Sequence, residues 1–481
     1  MKKSSKLNIL PTAPNASSLN THPADGLSQG QAFTGRASIV TLGCAKNQVD
    51  SEVMLGVLKQ KGFEIVTDVK EADVVVVNTC GFLESSVKES INAVLEVSEY
   101  KQTGRLRKLI VAGCAVERYR DQLKESLPEA DEFILTGDLL KVADSISAPV
   151  HESLVDAGRP YFLYDENMPR HLSTQSHTAY VKISEGCNRP CTFCIIPKIR
   201  GTMRSRSIES IRREVASLGQ QGVREINLIA QDLTHFGFDH KQGRLVDLLK
   251  ALDEDKSVDW IRLLYAYPVG TDEELIDAIV NLPSVVKYID IPLQHSSEAV
   301  LKSMKRPIGK YSPRSIVKMI KDRAPQIQIR TTFIVGFPGE TEADIDDLVQ
   351  FVSEGHFTNV GVFTYSLEKE AESASFEGHI KKSVKDKRRD RVMKAQQDVV
   401  LKFNEQLIGS VQKVLVEGAH EDTDLLLVGR TQWQAPEVDG TVIINDSELE
   451  EGMLTPGSII SVKITEAAGY DLVGTAIKVE D

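Results

Sequence analysis

Residues 182–206 read KISEGCNRPCTFCIIPKIRGTMRSR and place Cys187, Cys191 and Cys194 in a CxxxCxxC spacing. They are half of the six cysteines in the chain. Three closely spaced thiolates hold three corners of a four-iron cluster. A closed cluster takes four Cys ligands, so the fourth iron of a cluster held by this triad would remain open. Structural zinc wants four N or S ligands, and the nearest histidines, His171 and His177, lie upstream of a strand-like run. A disulfide within the triad leaves one thiol over. No apolar segment near Met1 has the form of a secretory signal, so the expected compartment is reducing and cytoplasmic, where thiols serve metals or catalysis.

The triad directly follows an apolar run, Ala179–Ile183. Further candidate strands are Glu225–Ala230, Trp260–Tyr265, Val286–Ile291, Ile327–Val335 and Val360–Tyr365, with helical segments such as Ile208–Gln220, Glu273–Val280 and Ala343–Ser353 between them. Six β/α repeats are too few for an eight-fold barrel and suit a partial (β/α)6 barrel over residues 179–405, with its site at the strand carboxyl ends. Gln231, Asp232, Gln294, His295 and the GFPGET run Gly336–Thr341 all follow strands there. Each either touches a ligand or serves the fold: GFPGE also reads as a Pro/Gly turn opening a helix, and His295 as a supporting hydrogen-bonding residue. Arg200, Arg204 and Arg206 either bind an anionic group or pair with acids. No catalytic residue beyond the cysteines is assigned.

Towards the amino terminus, residues 1–36 are rich in Ser, Thr, Asn, Pro and Ala and read as a disordered tail. From residue 37 to 149, β-branched runs at Ile39–Leu42, Val74–Val77, Leu109–Ala112 and Ile134–Leu135 alternate with helical stretches such as Gln48–Lys61 and Glu84–Glu99. This is the pattern of an α/β domain with a parallel sheet covered on both faces. Cys44, Cys80 and Cys114 each follow one of the first three runs, with Gly43, Gly81 and Gly113 beside them. Loops at strand carboxyl ends line the ligand crevice of such a sheet, so these three thiols are expected to converge as a second three-thiolate set. Buried Cys filling strand-to-helix turns is the alternative at any single position. Residues 150–178 read as a linker.

Towards the carboxyl terminus, Lys381–Lys394 (KKSVKDKRRDRVMK) is a basic helix, read as a solvated face or as a contact for an acidic partner or ribosomal RNA. Over residues 410–481, five short strands punctuated by Gly440, Gly457 and Gly474 indicate a small antiparallel β-barrel of the OB kind. It carries fourteen acids against four bases, a net of −10 within a chain total of −12. A module so acidic repels nucleic-acid backbone and attracts a basic protein. No apolar run reaches the roughly 18 residues that span a membrane.

CxxxCxxC with an aromatic residue, Phe193, just before the last Cys resembles the radical S-adenosylmethionine (SAM) superfamily. The resemblance implies that SAM chelates the open iron with Phe193 near its adenine, and that reductive cleavage yields a 5'-deoxyadenosyl radical. The whole order of domains after residue 36 resembles the methylthiotransferases, through TLGCAKNQVDSE, NTCGF, AGCAVER, SEGCNRPCTFCIIPKIRG, PLQHSS and GFPGE. That likeness implies two 4Fe-4S clusters, an auxiliary one on Cys44, Cys80 and Cys114 and the SAM cluster on Cys187, Cys191 and Cys194. It also implies a terminal TRAM domain and two SAM molecules per turnover, replacing C–H by C–S–CH3. An electron donor such as flavodoxin is required. One branch of the family acts on a tRNA adenosine. Another acts on the β-carbon of an aspartate in small-subunit ribosomal protein S-twelve, and the acidic barrel with GRTQWQAPEVDG resembles that second branch, making tRNA the less fitting partner. A closed-cluster electron carrier is the competitor outside the enzymes, and it needs eight thiols where six exist.

Overall fold

The computed structural model describes residues 35–147, 162–450 and 452–480. The tail at 1–34 and the first part of the 150–178 stretch, up to residue 161, lie outside the described residues. Two compact units emerge. Of the described residues, one takes those up to Phe162 with Asn167–Ser173 and Lys198–Arg200; the other takes Leu163–Glu166, Thr174–Pro197 and those from Gly201 onward. No helix among the described residues is long and apolar enough to cross a membrane.

The first unit is a parallel sheet of β1 (Arg36–Thr41), β2 (Glu64–Ile65), β3 (Val74–Thr79), β4 (Lys108–Gly113) and β5 (Glu132–Ile134), in the order β2-β1-β3-β4-β5. The four consecutive valines of β3 are fully buried. Their side chains divide by the two-residue period of a strand. Val75 and Val77 join Leu109, Val111 and Phe133 in one core, while Val74 and Val76 join Ile110, Ala112 and Met54 in the other. The strand order reverses between β1 and β3, which is where a doubly wound sheet opens its crevice.

In the second unit β6 (Thr178–Lys182) leads into a small antiparallel pair, β7 (Ser184–Glu185) and β8 (Arg204–Ser205), that brackets the CxxxCxxC stretch in sequence. A six-stranded parallel sheet follows the expected repeats: β6, β9 (Glu225–Ile229), β10 (Trp260–Leu263), β11 (Val285–Asp290), β12 (Gln328–Val335) and β13 (Phe357–Thr364), in that order. It remains open between β6 and β13. Helices Leu245–Asp255 and Pro313–Arg323 join those anticipated, and the basic stretch lies in a long helix, Lys382–Gln406. Most of its cations are paired with acids, among them Arg388 with Glu340 and Glu342, and Arg391 with Glu342 and Asp346.

The terminal barrel closes over β14 (Val411–His420), β15 (Thr423–Thr431), β16 (Val442–Ser447), β17 (Ile459–Ala468) and β18 (Asp471–Val479), in the circular order β14-β15-β16-β18-β17. The small antiparallel barrel expected here is present, with one parallel seam where β16 and β18 pair. Five is an odd number. A closed ring of five strands cannot alternate direction at every neighbour, so one parallel pair is unavoidable.

The stretch Gly429–Gly440, GRTQWQAPEVDG, ties this barrel to the six-stranded sheet. Arg430, 1% exposed, donates through Nη2 to Glu225 Oε2 (2.6 Å) and through Nε to Glu417 Oε1 (2.6 Å). Glu225 also accepts from Arg262 Nε (2.9 Å), and Arg262 Nη1 donates to the Gln432 carbonyl (2.7 Å). One strand further on, the Lys287 amide donates to Gln432 Oε1 (3.2 Å) and the Tyr288 hydroxyl to Asp439 Oδ2 (2.7 Å). Burial alone pushes the Glu225 carboxyl up, and the charges of Arg430 and Arg262 more than reverse that, holding it at about 2.

Candidate functional site

In the first unit Cys44 ends the turn after β1 and begins the helix Ala45–Gln60, Cys80 follows β3, and Cys114 opens the helix after β4. Cys44 and Cys80 thus flank the reversal of strand order. Cys44 is exposed, Cys80 half-buried and Cys114 buried. The loops pack too closely for side chains. A Cβ on Gly81 would lie 2.4 Å from the Cys114 carbonyl oxygen, and one on Gly113, at φ +98°, would lie 2.3 Å from Asn78 Oδ1. The helix Ala45–Gln60 buries polar residues as well as apolar ones and satisfies them. Asn47 Nδ2 donates to the carbonyls of Leu42 (2.8 Å) and Thr79 (3.0 Å), and Ser51 bonds with Thr41 (2.7 Å) and Asn78 (2.9 Å). Arg200 completes the lattice, donating from Nε to Cys114 Sγ (3.2 Å), from Nη1 to Asp50 Oδ2 (2.7 Å) and from Nη2 to Asn47 Oδ1 (2.6 Å).

The second triad lies in the second unit. Gly186, at φ +84°, turns the chain where a Cβ would lie 2.3 Å from the Thr202 carbonyl oxygen. Two sulfurs then receive backbone N–H groups: Arg189 N donates to Cys187 Sγ and Ile196 N to Cys194 Sγ, both at 3.4 Å. The third, Cys191 Sγ, receives Arg306 Nη1 at 3.7 Å. The guanidinium groups of Arg189 and Arg306 lie 4.0 and 4.1 Å from the ring centre of Tyr267, and Arg189 is paired with Asp232 (2.6 Å). Phe193 is half-buried against Val300, Met304, Phe337 and Tyr365.

Burial pushes the thiols of Cys80 and Cys187 up, and those of Cys114 and Cys194 up to about 12. Within each triad the thiols feel one another's charge. Yet among the described residues no three His, Cys, Asp or Glu side chains close on a point as a single ion requires. Thiols that feel one another's charge, with N–H donors aimed at Cys114, Cys187, Cys191 and Cys194, have the chemistry of iron–sulfur ligands, whose potential such hydrogen bonds tune.

The other strand-end residues divide. Gln231 Nε2 donates to Glu185 Oε1 (2.5 Å), and Glu185 is paired with Lys182 (2.8 Å). Asp232 is engaged by Arg189 and Thr234. Gln294, at φ +74°, bridges to β12 through its backbone. His295 is buried, accepts from Ser297 N at Nδ1 (2.9 Å) and sets Nε2 3.3 Å from Glu340, which also accepts from Gly336 N and Arg388. GFPGE is therefore a turn clamped by its own glutamate. Arg206 is paired with Glu214 in the interior, and Arg204 donates to the Thr202 carbonyl. Arg306 and Tyr267 carried no signal in the sequence; only folding brings them beside the triad.

Family models match three segments: the uncharacterized protein family UPF0004 over residues 36–135, the radical SAM superfamily over 181–352 and the TRAM domain over 408–477. The chain is 44% identical over 451 residues to the ribosomal protein uS12 methylthiotransferase RimO of Syntrophotalea carbinolica, covering 93% of this chain and 98% of that one. The chain belongs to the RimO family. A second RimO, from Geobacter sulfurreducens, is 44% identical, with 92% and 98% covered. Membership makes the chain a radical SAM methylthiotransferase, working with SAM and iron–sulfur chemistry. Among solved structures, the radical SAM methyltransferase TsrM from Kitasatospora setae superimposes with a TM-score of 0.53 at 13% identity, covering 80% of this chain and 77% of that one, a likeness of fold alone.

Proposed function

We propose that this chain methylthiolates the β-carbon of an aspartate in ribosomal protein uS12, with Cys187, Cys191 and Cys194 holding a 4Fe-4S cluster that binds SAM and Cys44, Cys80 and Cys114 holding an auxiliary one. Two SAM molecules are consumed per turnover, one for the methyl group and one for hydrogen abstraction. The observation that supports the reading is six free cysteines in two triads, each offering three thiols where a closed cluster takes four, in a chain whose RimO relatives match over nearly their whole length. When bound, the SAM cluster supplies one-electron cleavage of SAM, and so hydrogen abstraction from an unactivated carbon. The protein's own part is to hold and shield. The amides of Arg189 and Ile196 and the Arg306 guanidinium fix and partly neutralise the sulfurs, and Gly186 admits the close turn.

The terminal barrel supports a basic protein as substrate. Its one buried cation, Arg430, is used up internally by Glu225 and Glu417. Glu421, Asp422, Glu437, Asp446, Glu448, Glu450 and Glu466 are exposed, against exposed Lys413, Lys463 and Lys478. The barrel's surface is therefore acidic, which favours a cationic protein and disfavours RNA backbone. Mass spectrometry of uS12, alongside nucleoside analysis of tRNA from cells with and without the enzyme, tests this. Loss of the methylthio group from uS12 alone is the expected result; loss from tRNA adenosine overturns it.

A further inference from the structure

We infer that Arg200 is a positioning residue for the auxiliary cluster, holding the three cysteine loops in register and setting the cluster's reduction potential through its hydrogen bond to Cys114. The inference rests on the proposed cluster at Cys44, Cys80 and Cys114. Arg200 is 4% exposed, and its fork is spent in three directions. Nε points at the Cys114 sulfur (3.2 Å). Nη2 reaches Asn47 Oδ1 (2.6 Å), and the amide of the same Asn47 holds the carbonyls of Leu42, two residues before Cys44, and Thr79, the residue before Cys80. Nη1 is anchored on Asp50 (2.7 Å).

A simple buried ion pair needs only the Asp50 contact. The remaining two contacts lead, directly or through one side chain, to all three loops that carry the sulfurs. Guanidinium alone among side chains offers donors in such a planar fork, so lysine cannot reproduce the set. An N–H donated to a ligand sulfur withdraws electron density and favours the reduced cluster. Cys114 has this donor and is buried, whereas Cys44 is exposed. The three ligands are therefore inequivalent, with the firmest hold at Cys114.

The test uses the full-length reconstituted enzyme, with iron counted and both midpoint potentials followed by electron paramagnetic resonance. Arg200→Met is expected to leave the cluster of the CxxxCxxC triad at its wild-type midpoint. In the same variant the auxiliary cluster's reduced-to-oxidised ratio at fixed potential falls at least tenfold, a midpoint about 59 mV lower for one electron. Arg200→Lys, which keeps charge without the fork, is expected to fall at least threefold but less than Arg200→Met. Coincident auxiliary midpoints in wild type and Arg200→Met, both fully loaded, overturn the assignment. If Arg200→Met binds no auxiliary iron, an unshifted midpoint in Arg200→Lys overturns it. A chain with Cys44, Cys80 and Cys114 all changed to Ala is expected to bind half the wild-type iron. An unchanged iron count there rejects the auxiliary cluster itself, separately from Arg200.

Discussion

Replacing Glu225 by Gln removes one negative charge from a fully buried cluster while keeping the side chain's shape. In the native protein its two oxygens face Arg262 (2.9 Å) and Arg430 (2.6 Å), and it titrates at about 2 rather than the ordinary 4.5. That depression corresponds to roughly 3.4 kcal/mol of stability at neutral pH. It agrees with the about 3–5 kcal/mol lost when one partner of a buried ion pair is removed. The folded pKa is the lower one, so the contribution is complete above about pH 4.5 and drains away as pH falls through about 2. By pH 3 it should have shrunk to about 1.4 kcal/mol. The chain's two tryptophans, Trp260 on β10 and Trp433 within GRTQWQAPEVDG, both lie in the second unit, so their fluorescence during denaturant unfolding reports on this junction. The expected result is a Glu225→Gln transition destabilised by about 3 kcal/mol or more at pH 7, with the gap narrowing at pH 3. Coincident transitions at pH 7, or a gap that does not narrow, refute the reasoning.

Gly81→Ala places a methyl group 2.4 Å from the Cys114 carbonyl oxygen, so overpacking should cost about 1–3 kcal/mol, and iron analysis should show loss from the first unit only. Cys187→Ala is expected to abolish formation of 5'-deoxyadenosine from SAM, whereas Cys114→Ala preserves it and loses sulfur insertion; both products are measured by chromatography and mass spectrometry, and loss of both in a folded Cys114→Ala counts against the division of labour. Asp439→Asn weakens the bonds from the Tyr288 hydroxyl (2.7 Å) and Ala435 N (2.8 Å); a loss of about 1–3 kcal/mol in the tryptophan-reported transition is expected.

The strands of both parallel sheets, except the two-residue β2 at an edge, were legible because burial on two faces leaves long apolar runs. Where side chains satisfy one another at long range, the sequence was mute. The helix after β1 begins at Ala45, three residues earlier than its pattern indicates, because Cys44 occupies a cap position without a capping hydroxyl or carboxylate. Arg200 finds Asp50 across 150 residues, and nothing local distinguishes it from Arg204 or Arg206. His295 stood out by its strand-end position, yet it is held by Glu340 from another loop. The parallel seam of the terminal barrel follows from counting strands, which requires knowing that the ring closes.

The anchorage of GRTQWQAPEVDG bears on how such enzymes can be recombined. The groups that receive it, Glu225, Arg262, Tyr288 and Arg330, sit on four successive strands, from β9 to β12, scattered over more than a hundred residues. A chimera that exchanges the terminal barrel at a crossover near residue 408 with a relative differing at these positions inherits the plug without its socket, and loses the ion pairs Arg430–Glu225 and Arg330–Asp439. Retargeting by cassette exchange therefore has to carry these four positions with the barrel, and natural variation at them should follow the barrel rather than the SAM site.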